Sequence, residues 1–219
     1  MATVTSLDDL RTAFPPGREW AARWIWTGEE AQPDNAYIHA RAEVSLEEFE
    51  AADLHITADT RYELYVNGER IGRGPVQSQP YYKYYDTRDV TESLEPGTNC
   101  VGVVVNYTGT MTDTRAGLLA ELVVDGEPVL ATDGTWQVAP ATAWRRDTHA
   151  TRFNTVTPYQ EHYDAREAPQ GWTDPGFDAE DWAAAAVISG TPWRDEGADR
   201  PPEWGSNVPT IHARRPVKL

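Results

Sequence analysis

Residues 60–86 read T-R-Y-E-L-Y-V-N-G-E-R-I-G-R-G-P-V-Q-S-Q-P-Y-Y-K-Y-Y-D. Tyr62, Leu64 and Val66 alternate with Arg61, Glu63 and Tyr65, the period of a strand with one buried face. Asn67-Gly68 follows at once, the pair that best accepts the positive φ angles of a tight hairpin turn. Arg70 and Ile71 begin a return strand, which Gly72, Gly74 and Pro75 break. Past the break, Tyr81, Tyr82, Tyr84 and Tyr85 crowd together and end on Asp86. A hairpin that feeds such a segment builds either a core seam or the wall of a ligand site. Tyr62 to Ile71 reads as core, and Gln77 to Tyr85 as the stretch open to a ligand.

The same two-residue period recurs on both sides. Upstream, A-R-W-I-W reads as a first strand, with Trp24 and Trp26 on one face. Tyr37, His39 and Arg41 alternate with Ile38, Ala40 and Ala42 in a second strand, and Leu54, Ile56 and Ala58 mark a third. Downstream, Asp89 to Leu94 forms one capped turn, and Val101 to Asn106 is apolar almost throughout, the mark of a central strand covered on both faces. Residues 107–116 are polar and read as an exposed loop. Leu118–Val124, Val129–Ala131 and Thr135–Val138 add strands, Tyr159 to Arg166 alternates again, and Asp178 to Ala186 reads as a short helix. Ser6 or Thr5 caps a short N-terminal helix whose Leu7, Leu10 and Phe14 share a side. About ten short strands with regularly spaced turns make an all-β chain, an antiparallel sandwich or jelly roll with a short N-terminal helix. Three segments follow: residues 1–19 as helix and lead-in, 20–190 as the sandwich, and 191–219 as a Pro-, Gly- and Arg-rich linker towards a further domain.

The totals narrow the partners. A net charge of −16 argues against nucleic acid, whose phosphates need clustered cations. No run is long and apolar enough to span a membrane. The amino terminus lacks the basic and apolar regions of a secretory leader, so a cytoplasmic location is expected. Cys100, the single cysteine, lies in an apolar run and reads as a buried thiol. Nine Trp and ten Tyr supply the apolar area for a core.

Four blocks in order carry a family resemblance: A-D-T-R-Y-E-L-Y-V-N-G-E-R-I-G-R-G-P (58–75), Y-Y-D-T-R-D-V-T-E-S-L-E-P-G-T-N (84–99), D-G-T-W-Q-V (133–138) and Y-D-A-R-E-A-P-Q-G-W-T-D-P-G-F-D-A-E-D-W (163–182). With these the chain resembles the N-terminal β-sandwich region of bacterial α-L-rhamnosidases of glycoside hydrolase family 78. The resemblance covers roughly residues 20–190 and implies a galactose-binding-like sandwich. It also implies that catalysis belongs to a separate downstream helical barrel, so this chain by itself is expected to be non-catalytic. Arg194-Asp195-Glu196 is similar to that family's catalytic acid motif but lacks its flanking residues, and reads as coincidence.

Binding a sugar calls for an aromatic face against the apolar side of the ring and planar polar groups that pair with neighbouring hydroxyls. Tyr82 and Tyr84 offer aromatics in the tyrosine segment. Trp144, Arg152, Asn154, Tyr159 and Glu161 form a second group with both kinds of side chain. Each aromatic is also a candidate core residue, and Asp164 with Arg166 reads better as a clamping ion pair than as a ligand contact. A structural calcium is compatible with the fold class, with Asp113 as a candidate ligand. The expected partner is a carbohydrate, a rhamnose-containing glycan or glycoside. The alternatives are a module without a ligand that docks on a catalytic barrel, and a chain that is itself hydrolytic.

Overall fold

A computed structural model describes residues 20–28, 34–76, 82–109, 116–148, 159–188 and 210–213, with backbone alone for Tyr82 and for 210–213. The strands are β1 (Ile25–Trp26), β2 (Ala36–Leu46), β3 (Ala52–Ala58), β4 (Arg61–Val66), β5 (Glu69–Gly74), β6 (Tyr82–Asp89), β7 (Gly97–Tyr107), β8 (Leu118–Val124), β9 (Glu127–Ala131), β10 (Gln137–Pro140), β11 (Ala183–Ala184), β12 (Ala186–Val187) and β13 (Thr210–Ala213). They form two sheets. One runs β12-β1-β8-β3-β6-β13 with β9 also on β8, and the other runs β11-β10-β2-β7-β4-β5. Every pairing is antiparallel except that of β13, which lies parallel to β6 and so brings a piece of the 191–219 segment onto a sheet edge.

The hairpin of residues 60–74 has the expected form. Asn67 and Gly68 take φ of 48° and 81°, and Tyr62, Leu64 and Val66 point inward and are buried. They meet Ile38, Ala40 and Ala42 of β2 and Val101, Val103 and Val105 of β7 on the same sheet face. Across the core stand Leu54, Ile56 and Ala58 of β3 and Leu118, Ala120 and Leu122 of β8. β7 is central, between β2 and β4, and from Asn99 onward it is buried on both faces. Its apolar run had that meaning.

The hairpin tip is pinned twice. Asn67 donates to Ser93 O and to Asn99 Oδ1, and its own Oδ1 accepts from the Cys100 amide. The Gly68 amide donates to Thr173 O at 3.0 Å. At the other end of the hairpin Tyr62 donates to Asp86 on β6, joining the two sheets across their edges. A Cβ at Gly74 would strike that Asp86 carboxylate and the Tyr62 ring. Gly74→Ala is therefore expected to lower stability by about 2–3 kcal/mol, through steric conflict and a lost buried hydrogen bond. Urea unfolding reads this directly; an unchanged midpoint would mean that the edges are not so closely joined.

Several expectations need correction. Asp178 to Ala186 is not a helix: Asp178 caps the Glu180 amide in a turn, and the alanines then pair as β11 and β12. Tyr159 to Arg166 is not a strand. It makes one bridge, Trp144 to Tyr163, and then a 3-10 turn over Ala165–Glu167 capped by Asp164. Asp164 and Arg166 do pair, but Arg166 is 89% exposed and clamps nothing. The 107–116 loop begins and ends inside the fold, with Tyr107, Thr108 and Ala116 buried. The capped turn after Asp89 is present as a 3-10 turn over Thr91–Ser93, with Asp89 accepting from Thr91. Among the described residues helix is confined to these two 3-10 turns; the N-terminal helix lies outside the described residues, as does Arg194-Asp195-Glu196.

Candidate functional site

The outward face of the β2-β7-β4-β5 sheet can be read in cross-strand rows. Tyr37, Asn106 and Arg61 make one row, His39, Val104, Glu63 and Arg73 the next, and Arg41, Gly102, Tyr65 and Arg70 the third. In an ordinary sandwich this face would meet water. Here residues 141–148 and 159–182 run over it and carry three tryptophans onto it.

The cover is held by the backbone and by one cation. The Ala141 amide donates to Tyr37 O, and the buried Asn35 side chain donates to the carbonyls of Arg145 and Arg146. Arg41 is buried beneath residues 172–179 and donates to the carbonyls of Trp172, Asp174 and Phe177, to Gln137 and to Glu43. Glu43 in turn accepts from the Gly176 amide. The third-row glycine is needed for packing, because a Cβ at Gly102 would lie 2.9 Å from the Thr173 methyl and 3.1 Å from the Trp172 ring. His39 sits in a cage of Trp144, Trp172 and Trp182, with ring centroids 5.9, 4.4 and 5.8 Å away. Neither of its ring nitrogens has a hydrogen-bond partner. Burial pushes its pKa down to about 4, so near neutral pH the ring packs as an uncharged aromatic.

The cover stops short of the first row, and there a groove opens. Tyr37 and Trp144 stack at 5.3 Å and 7°. Trp144 Nε1 donates to Glu161 at 3.0 Å, which fixes that carboxylate at the groove edge. Arg61, Glu63, Arg73, Gly74, Pro75, Val76, Val104 and Asn106 supply the sheet side, and the cavity measures about 530 Å3. Burial first and then the Glu161 charge push the Tyr37 hydroxyl up to about 12, with Arg61 opposing. It therefore remains a neutral hydroxyl, able to donate and accept. The exposed rim of the Tyr37–Trp144 stack, a fixed acceptor, guanidinium donors and a neutral hydroxyl can together hold a polyol ring. Glu63 is engaged by Arg70 and Glu161 by Trp144.

A family model described as the alpha-L-rhamnosidase N-terminal domain matches residues 47–194, more than half of the chain. The chain belongs to this family. An α-L-rhamnosidase of Streptomyces avermitilis is 34% identical to this α-L-rhamnosidase N-terminal domain over 151 residues, 61% of the chain and 14% of the relative. A solved family 78 rhamnosidase of Bacillus sp. GL1 is 37% identical, covering 80% of the chain and 19% of the enzyme, with a TM-score of 0.72. A lectin of Pleurotus ostreatus, 22% identical, matches 91% of the chain and 48% of its own with a TM-score of 0.54, a likeness of fold. The domain thus spans a small share of the length of the rhamnosidases it matches, and it corresponds to their N-terminal, non-catalytic part. Among the described residues there is no helical barrel.

Of the residues expected to bind sugar, the fold of this rhamnosidase N-terminal domain brings Trp144 and Glu161 together at the groove. Tyr84 lies on β6 in the other sheet, and Tyr159 is half-buried without lining the groove. The Tyr82 side chain, Arg152, Asn154 and Asp113 lie outside the described residues. Among the described residues no group of three acidic, histidine or cysteine side chains gathers as a metal site. The buried carboxylate of Asp59 leaves one oxygen unpartnered, but Lys83 stands 2.9 Å from the other, where a cation would sit. The pattern alone gave no sign of Tyr37, Arg61, Glu63 and Arg73 as groove residues. Outward-facing strand positions carry no mark of a site until the cover from 141–148 and 159–182 gives them a wall.

Proposed function

We propose that this domain binds a saccharide in the groove between the Tyr37–Trp144 stack and the Arg61 and Arg73 wall, and that in a longer α-L-rhamnosidase it holds glycan near a downstream catalytic domain. The observation that carries the reading is the placing of Glu161. Trp144 holds the carboxylate, and Arg61 lines the same groove without closing on it in an ion pair. An acceptor and a donor held apart across an aromatic floor suit adjacent hydroxyls of a sugar. Membership of a family of glycoside-acting proteins supports the same chemistry.

Calorimetric titration with L-rhamnose and with alkyl or aryl rhamnosides tests this. Saturable binding is expected, and Trp144→Ala should weaken it by about tenfold or more through loss of the aromatic face. Because Trp144 also packs on His39, the exposed Arg61→Gln is the companion variant, expected to weaken binding with an unchanged unfolding midpoint. A folded protein that gives no heat with any of these sugars would overturn the proposal.

A further inference from the structure

We infer that the saccharide this groove takes is anionic, carrying a carboxylate or sulfate group that sits on Arg61 and Arg73. The inference rests on the groove reading above and goes beyond it, since hydroxyl recognition alone would not call for two free cations.

The chain has 35 Asp and Glu against 19 Lys and Arg, so an arginine on its surface has acids to choose from. Arg41, Arg70, Arg88 and Arg166 each stand on a carboxylate. Arg61 and Arg73 both line the groove and, among the described residues, neither makes an ion pair or donates a side-chain hydrogen bond. Their placing is set by register. Tyr62 pairs with Gly74 and Glu63 with Arg73, so Arg61 and Arg73 are diagonal neighbours on one face. Such positions lie about 7–8 Å apart, a separation from which two long guanidinium side chains can converge on one anion. Planar guanidinium groups favour carboxylates and oxyanions through paired hydrogen bonds.

The acids of the groove do not cancel these cations. Glu63, which faces Arg73 across the strands, is taken by Arg70, and Glu161 receives the Trp144 indole. Arg88, itself paired with Asp86, donates to Arg73 O and so helps hold the Arg73 backbone in place. The overall charge of −16 would repel an anion at long range. At physiological salt that repulsion is screened beyond about 8 Å, while a guanidinium in contact with the ligand is not. A saccharide resting against the Tyr37–Trp144 pair with its acidic group towards β4 and β5 would meet both guanidinium groups.

The test compares methyl glucuronide with methyl glucoside, which share a ring and differ in the charged group, by calorimetric titration of the full chain. Glucose 6-sulfate in a third arm separates a tetrahedral sulfate from a planar carboxylate. One or both anionic sugars should bind about fivefold tighter or more than the glucoside, as expected for one exposed ion pair or better. The advantage should shrink in 0.5 M salt and vanish in the double variant Arg61→Gln with Arg73→Gln, whose exposed side chains leave the core untouched. Equal affinity for charged and neutral sugars would overturn the inference and leave the groove reading standing. A preference that survives the double variant would place the anion elsewhere and overturn it too. Absence of binding by every sugar would overturn both.

Discussion

Replacing Arg41 with alanine should cost about 3–5 kcal/mol of folding stability. The guanidinium is buried and divides its donors among three loop carbonyls, the Gln137 amide oxygen and the Glu43 carboxylate. Its loss strands those carbonyls under the cover and leaves the partly exposed Glu43 without its partner, and removing a buried charge that holds several hydrogen bonds is among the most damaging single changes. A domain of this size has about 5–15 kcal/mol in hand, so the variant should be near the threshold of folding. Arg41→Lys should recover little, because one ammonium cannot span the fork of carbonyls. Urea unfolding measures both; a loss under about 1 kcal/mol for the alanine variant would show that the cover does not depend on this residue.

Acid should loosen the same region through His39. The folded ring has its pKa held at about 4 by burial against a value of 6.5 in the open chain. Between these pH values the unfolded chain takes up a proton that the folded chain refuses. Stability therefore falls as pH drops from 6.5 to 4, by about 3 kcal/mol over the whole window, and the contribution is intact above it. His39→Phe keeps an aromatic in the tryptophan cage and cannot be protonated. The difference in unfolding free energy between the two proteins should shrink or invert as pH falls. Asp59, whose pKa burial raises despite Lys83, is common to both chains and drops out of that difference. Parallel pH curves would show that His39 does not sense the proton.

Both effects lie on the outward face of the β2-β7-β4-β5 sheet, and there the sequence was hardest to read. The inward face was plain: a strand that alternates Ile38, Ala40 and Ala42 with Tyr37, His39 and Arg41 declares which side is core. So was the Asn67-Gly68 turn, because few other pairs accept its backbone angles. Hidden was the second burial of the outward side chains. It comes from residues 141–148 and 159–182, which have little secondary structure of their own and hence no period to detect. That is why the alternation gives Arg41 no role although it anchors the cover, and why Asp178 to Ala186 looks helical. The tyrosine segment illustrates the converse. Tyr85 is buried against Trp20, at 5.2 Å between ring centroids, because alternation turned it onto the face covered by that tryptophan, whereas Trp144 and Glu161 were recognisable by residue type alone.

The indole region of a proton–nitrogen NMR spectrum can watch the groove directly. Each of the nine tryptophans contributes one Nε1–H signal, and Trp144→Phe assigns the one at the groove. On addition of a rhamnoside or glucuronide the Trp144 signal should move in a saturable manner, since its proton lies on Glu161 beside the sugar. The signals of Trp172 and Trp182, packed beneath the cover on His39, should stay in place. A spectrum in which Trp144 does not move while another indole does, or in which none moves at saturating sugar, would contradict the assignment of this groove as the binding site.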